Sequence, residues 1–102
     1  MKVEWLTEAR AEYRQFLQYY KTEVGLPYAK KFADTILSSI NQLAEFPEMR
    51  AVKYDTLMGK HGFRALFMGN YVCVYRIEGD MVYVYHLADA RKNYIYHIFG
   101  ME

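Results

Sequence analysis

The hydrophobic period of this chain changes once, and the change decides what it can fold into. Up to Phe46-Pro47, apolar residues recur every three or four positions. Beyond Gly62 they crowd into short runs of Val, Tyr and Phe, separated by Gly69-Asn70 and Gly79-Asp80. Helices satisfy the first period and strands the second, so the two halves form different layers. In the first half, Val3-Glu4-Trp5 reads as a short opening strand. Thr7 then offers an N-cap oxygen and Glu8 sits in the first turn, where a negative charge suits the helix dipole. Ala9, Tyr13, Phe16, Leu17, Tyr20 and Val24 mark one helix face. Gly25-Leu26-Pro27 ends that helix and opens the next, whose stripe is Ala29, Phe32, Ala33, Ile36, Leu37, Ile40, Leu43 and Ala44. Phe46-Pro47 stops it. Two helices joined by so short a loop are antiparallel neighbours, an αα-hairpin.

The second half opens with a polar loop, 48–62. Three strands follow, Phe63–Met68, Tyr71–Glu78 and Met81–Ala88, joined by two-residue turns of hairpin type into an antiparallel meander. Tyr94, Ile95, Ile98 and Phe99 suggest a closing helix. The expected order is β-α-α-β-β-β-α: an α+β domain, single over 1–102, with an antiparallel sheet packed against a helical hairpin. A two-residue loop at Gly79-Asp80 pairs Glu78 with Met81, Tyr75 with Val84 and Cys73 with His86. One face then carries Arg64, Leu66, Cys73, Tyr75, Ile77, Val82, Val84 and His86. The other carries Phe63, Phe67, Val72, Val74, Arg76, Met81, Tyr83 and Tyr85. Both are largely apolar, more than one helical hairpin can cover, so a partner chain is the natural cover for the second.

Composition narrows the function. In 102 residues there are 13 Lys+Arg and 12 Asp+Glu, a net charge of +1, with 53% hydrophobic residues. That is too apolar and too little charged for disorder, and too neutral for a generic nucleic-acid binder. The longest apolar run, Tyr71–Tyr75, is far short of a membrane span. Glu4 interrupts what a signal peptide would need. One cysteine, Cys73, forms no internal disulfide and fits a cytoplasmic location. There is no phosphate-binding glycine loop, no paired cysteine, no HExxH and no serine elbow. His61, His86 and His97 are scattered over a loop, a strand and the terminal helix, so neither a metal nor another cofactor is expected. The more suggestive set is Lys60, His61 and Arg64 entering the first long strand, with Arg91, Lys92 and Tyr94 after the last. In a meander these groups start at opposite ends of the sheet. Composition alone reads Arg64 as a strand residue reaching for solvent, and Arg91-Lys92 as a basic cap.

Several segments, in order, resemble the RelE/ParE toxin superfamily. Trp5-Leu6-Thr7-Glu8-Ala9-Arg10-Ala11-Glu12-Tyr13 is similar to its strand-to-helix opening, and Leu43-Ala44-Glu45-Phe46-Pro47 to the L-x-x-F/Y-P end of its second helix. Gly62-Phe63-Arg64-Ala65-Leu66 and Gly69-Asn70-Tyr71 through Tyr75-Arg76-Ile77 resemble its R-x-L, G-N-Y and Y-R-I strands. Arg91-Lys92-Asn93-Tyr94 is similar to its R-x-x-Y ending. The resemblance implies the toxin of a type II toxin–antitoxin module, held inactive in a hetero-oligomer by an antitoxin whose C-terminal segment wraps it. RelE-like members cut mRNA in the ribosomal A site; ParE-like members bind and poison DNA gyrase without chemistry of their own. For a RelE-like mechanism the resemblance assigns Arg64, Arg91, Tyr94 and His86 as catalytic. Lys60, His61, Arg76, Tyr83, Tyr85 and Lys92 are then the residues facing the target or antitoxin. Three features favour the ParE-like branch: the near-neutral charge, the spacing of Lys53 and Lys60, and Ala88 where many relatives carry His. The alternatives are the ribosome-dependent endoribonuclease and a non-toxic partner-binding module.

Overall fold

The structure is a computed structural model that describes residues 1–48, 61–92 and 94. Lys60, most of the expected 48–62 loop and all of the expected closing helix except Tyr94 lie outside the described residues.

Strand β1 (Lys2–Trp5) leads into helix α1 (Thr7–Tyr19). Leu6, extended at φ −74° and ψ 162°, takes the N-cap position without a side-chain bond, so Thr7 is the first helical residue rather than the expected cap. The last turn of this helical arm, Tyr20–Val24, is π-helical and closes with Gly25 N–H donating to the Tyr20 carbonyl at 2.7 Å. The wider turn accompanies an inward Tyr20, whose ring stacks on Phe32 at 5.1 Å and whose hydroxyl is 2.8 Å from that of Tyr71. Helix α2 (Leu26–Asn41), opened by Pro27, runs back and tightens into a 3₁₀ turn at Gln42–Ala44. Of the expected stripe, Ala29, Phe32, Ile36 and Ile40 are buried, whereas Leu37 is exposed on the outer side.

Strands β2 (Arg64–Met68), β3 (Tyr71–Glu78) and β4 (Met81–Asp89) form the expected meander. Gly69 and Gly79 take φ of +61° and +63° at the first position of their turns, while Asn70 and Asp80 keep negative φ. This is the type II′ arrangement, which matches strand twist and demands glycine there. β1 adds a fourth strand, parallel to β4, so the sheet is mixed with order β1-β4-β3-β2.

The expected register holds from Glu78↔Met81 to Tyr75↔Val84 and then breaks. A bulge between Val74 and Tyr75 pairs Val74 with His86 and Cys73 with Leu87, leaving Tyr85 as the extra residue. A bulge shifts strand parity by one, so Leu87 rather than His86 takes the inward place opposite Cys73. The main core therefore joins α1 and α2 to Leu66, Met68, Cys73, Tyr75, Val82, Val84 and Leu87. Ile36, Ile40 and Leu43 are fully buried here, and each such side chain contributes about 1.5–3 kcal/mol. The opposite sheet face carries a second cluster of Phe63, Ala65, Val72 and Val74. Both faces are thus apolar as expected, and Phe67 on the second stays 42% exposed.

Candidate functional site

The site follows from where β1 ends. Its last rung on β4 is Leu6 N–H donating to the Val84 carbonyl at 2.9 Å, after which the chain turns into α1. Beyond Val84, β4 continues to Asp89 paired with β3 but with no described strand on its β1 edge. Helix α1 takes over that flank. Glu8, Glu12 and Phe16 are spaced four apart and so share one stripe. The Glu12 carboxylate accepts the Leu87 backbone N–H at 3.1 Å, a bond that β1 would otherwise have made. The same carboxylate is 3.2 and 3.3 Å from His86 Nδ1, and Glu8 is 3.7 Å from Nε2. Both ring nitrogens of His86 therefore face α1 carboxylates.

Between α1 and the end of β4 lies a groove of about 910 Å³. Its acidic end is Glu8, Glu12 and His86, and its far end carries Arg91, Lys92 and Tyr94. Phe16 and Tyr71 meet edge to face at 5.0 Å in its wall. The Tyr71 hydroxyl is pushed well above its usual range by burial and then by the bond to Tyr20. Asp89 accepts the backbone N–H of Arg91 at 2.9 Å and its guanidinium in a two-pronged fork at 3.0 and 2.8 Å. That fork, more than anything else, lowers the Asp89 carboxyl from 3.8 to about 2. A carboxyl depressed in the folded state contributes stability above its unfolded value, and that contribution disappears as pH falls through the folded value. Asp89→Asn should therefore flatten the loss of the urea midpoint between about pH 4 and pH 2 while leaving the neutral-pH slope unchanged. An unaltered acid profile in that variant would mean the fork adds nothing to folding.

The remaining sequence-predicted residues fall elsewhere. Arg64 stands at the other end of the sheet, 3.8 Å from Glu48. It shares a row with Tyr75 and Val84, whereas Asp89 shares one with Tyr71 and Met68. Four residues along the strand and two strands across put Arg64 about 16 Å from the β4 end that presents Arg91. Arg76 lies on the second face, its guanidinium 5.2 Å from the Phe63 ring centroid. Tyr85 is also there, edge-on to Phe63 at 5.0 Å and donating its hydroxyl to Glu78 Oε2 at 3.1 Å. Tyr83 is half-buried opposite Arg76 and beside Glu4. His61 is exposed in the turn before β2. Tyr94 packs against the second cluster and also borders the groove. The structure thus gathers His86, Arg91, Lys92 and Tyr94 along one groove and leaves Arg64, Arg76, Tyr83, Tyr85 and His61 outside it. Among the described residues no group of His, Cys, Asp and Glu is placed to hold a metal ion.

Sequence reasoning missed Glu12, Tyr20, Tyr71 and Asp89 as site residues. The spacing of Glu8, Glu12 and Phe16 was the available signal for the first, since it sets two acids in line with a core aromatic. Nothing local marks Tyr20 and Tyr71 as partners.

A helical hairpin laid across this mixed sheet is the architecture of the RelE/ParE toxin superfamily. Within it, the chain belongs to the ParE toxin family of type II toxin–antitoxin systems, parDE, whose family model matches residues 3–94. A solved structure described as the chromosomal ParDE TA system from P. aeruginosa superposes with a TM-score of 0.72 at 16% identity. It covers 87% of this chain and 95% of its own. At that identity the likeness speaks to the fold. No curated protein sequence matches. Among the described residues no helix is long and apolar enough to cross a membrane.

Proposed function

We propose that this toxin arrests growth by binding DNA gyrase, without chemistry of its own, and that a cognate antitoxin neutralises it. The separation of Arg64 from the other three candidate ribonuclease residues, and the carboxylates that engage His86 and Arg91, support this reading. Acid–base cleavage of RNA needs its proton-transferring and charge-stabilising groups around one phosphodiester, within hydrogen-bond reach. Arg64 is about 16 Å from the Arg91 end of β4, both nitrogens of His86 face Glu8 and Glu12, and Arg91 is forked onto Asp89. A net charge of +1 also gives little of the electrostatic attraction a ribosomal RNA surface rewards.

The reading predicts that purified toxin blocks supercoiling by gyrase, or traps cleaved DNA with it, and that the antitoxin relieves the block. Primer extension on cellular mRNA after induction should show no codon-positioned cuts. Such cuts, lost in Arg91→Ala or Tyr94→Phe, would replace this reading with the ribosome-dependent endoribonuclease. Induced expression that leaves growth untouched would leave only the partner-binding module.

A further inference from the structure

The groove beside β4 combines an edge position that no described strand fills with opposite charge at its two ends. Strand parity identifies it. Leu87 N–H turns away from β3 to reach Glu12, and Ala90 N–H turns toward β3 to reach the Asn70 carbonyl at 2.8 Å. Alternation then directs the Leu87 carbonyl and the Asp89 N–H toward the groove. Neither of these groups has a hydrogen-bond partner from another strand among the described residues: β1 pairing ends at Val84, and the Asp89 carbonyl is taken by Lys92 N–H at 3.2 Å. One residue of an added extended segment can bond both, because they flank Ala88 on the same edge.

Charge and surface describe the segment. Glu8, with a side chain 79% exposed, marks the end next to His86, where Glu12 adds a second carboxylate. Lys92 and Arg91 are exposed at the other end, and because Arg91 is forked onto Asp89 the uncompensated charge there is that of Lys92. Between them the wall is aromatic, and Tyr19 and Val24, on the same groove, are exposed at 56% and 42%. Exposed aromatic surface of this kind, rimmed by opposite charges, suits an apolar side chain flanked by a base and an acid.

We infer that the groove receives an extended segment of the toxin's protein partner, which pairs with β4 at Ala88 and sets a basic residue against Glu8 and Glu12. Its apolar residue lies on Phe16 and Tyr71, and its acidic residue faces Lys92, beside the Arg91–Asp89 pair. The inference rests on the toxin reading only in supplying a protein partner; it adds the face used and the chemistry of the segment. β-Strand addition provides affinity, and the two charged ends fix the register.

Short synthetic peptides test it. One carries Lys at one end, Leu-Tyr in the centre and Glu at the other; a second carries Glu at both ends; a third has the first composition with its charges scrambled. Binding to the purified full chain is read by fluorescence anisotropy and by amide shifts. The first peptide should bind about tenfold or more tightly than the others, and should slow exchange of the Asp89 amide. Glu8→Lys, at an exposed position that leaves folding intact, should reverse the preference toward the doubly acidic peptide. Lys92→Glu should weaken the first peptide. Equal affinity for all three peptides, no binding up to about 1 mM, or shifts confined to the second sheet face would overturn the inference. So would concentration-dependent shifts at the same amides without peptide, which would give the position to a second copy. Growth arrest and gyrase inhibition are measured separately. Charge-indifferent peptide binding with arrest intact sinks the groove alone, and absent arrest with charge-selective binding sinks only the toxin reading.

Discussion

Tyr75→Ala is expected to remove about 3–5 kcal/mol of folding stability, a large fraction of the roughly 5–15 kcal/mol that native domains hold. Tyr75 is fully buried in the central strand pair, opposite Arg64 on β2 and Val84 on β4, within the core that α1 and α2 cover. Truncation leaves a ring-sized cavity where the sheet cannot collapse, because its neighbours are fixed by ladder bonds on both sides. The ring also carries a polar end: its hydroxyl donates to the Pro47 carbonyl at 3.0 Å, tying the chain after α2 to the sheet. Tyr75→Phe keeps the volume and loses that bond, and should cost about 1 kcal/mol. Urea unfolding of both variants checks the ordering. A phenylalanine variant as unstable as the alanine one would place the stabilisation in the hydrogen bond rather than the ring.

The second large effect is expected at Glu12. Removing its carboxylate in Glu12→Ala leaves the Leu87 N–H without an acceptor beside a fully packed strand, a loss of about 1–3 kcal/mol, and takes away the nearer of the two acids at His86. Glu12→Gln retains an oxygen for Leu87 and should recover most of the stability. Hydrogen exchange at the Leu87 amide separates the two roles: fast exchange in alanine and slow in glutamine is the expected pattern. Slow exchange in both would mean that α1 covers this edge by packing alone.

The layers were legible from the sequence because they depend on period. The stripe Ala29, Phe32, Ile36, Ile40 has no strand interpretation, and Gly69-Asn70 and Gly79-Asp80 have almost no interpretation other than hairpin turns. The residues of the groove were legible only in part. Arg91, Lys92 and Tyr94 were singled out from the residues themselves and His86 from the resemblance, and all four line the groove. Their companions were not visible because they arise from two local irregularities. The bulge at Tyr85 moves Leu87 inward and brings its N–H to Glu12, and a bulge has no reliable signature in a run such as Val82–Tyr85, where both strand faces are apolar. The π-helical turn at Tyr20–Val24 accompanies the meeting of Tyr20 and Tyr71, and its extra residue per turn is not written in any spacing of apolar residues. The parallel addition of β1 was hidden for another reason: four residues of strand say nothing about which edge they join.

That addition has a consequence for how the protein comes into being. Trp5 and its strand partner Val84 are far apart in the chain. Until β4 is made, β1 has no edge to pair with and α1 lacks the strand it crosses, so the sheet closes only then. A chain interrupted anywhere before Val84 lacks the position that orients α1 and the groove beside it.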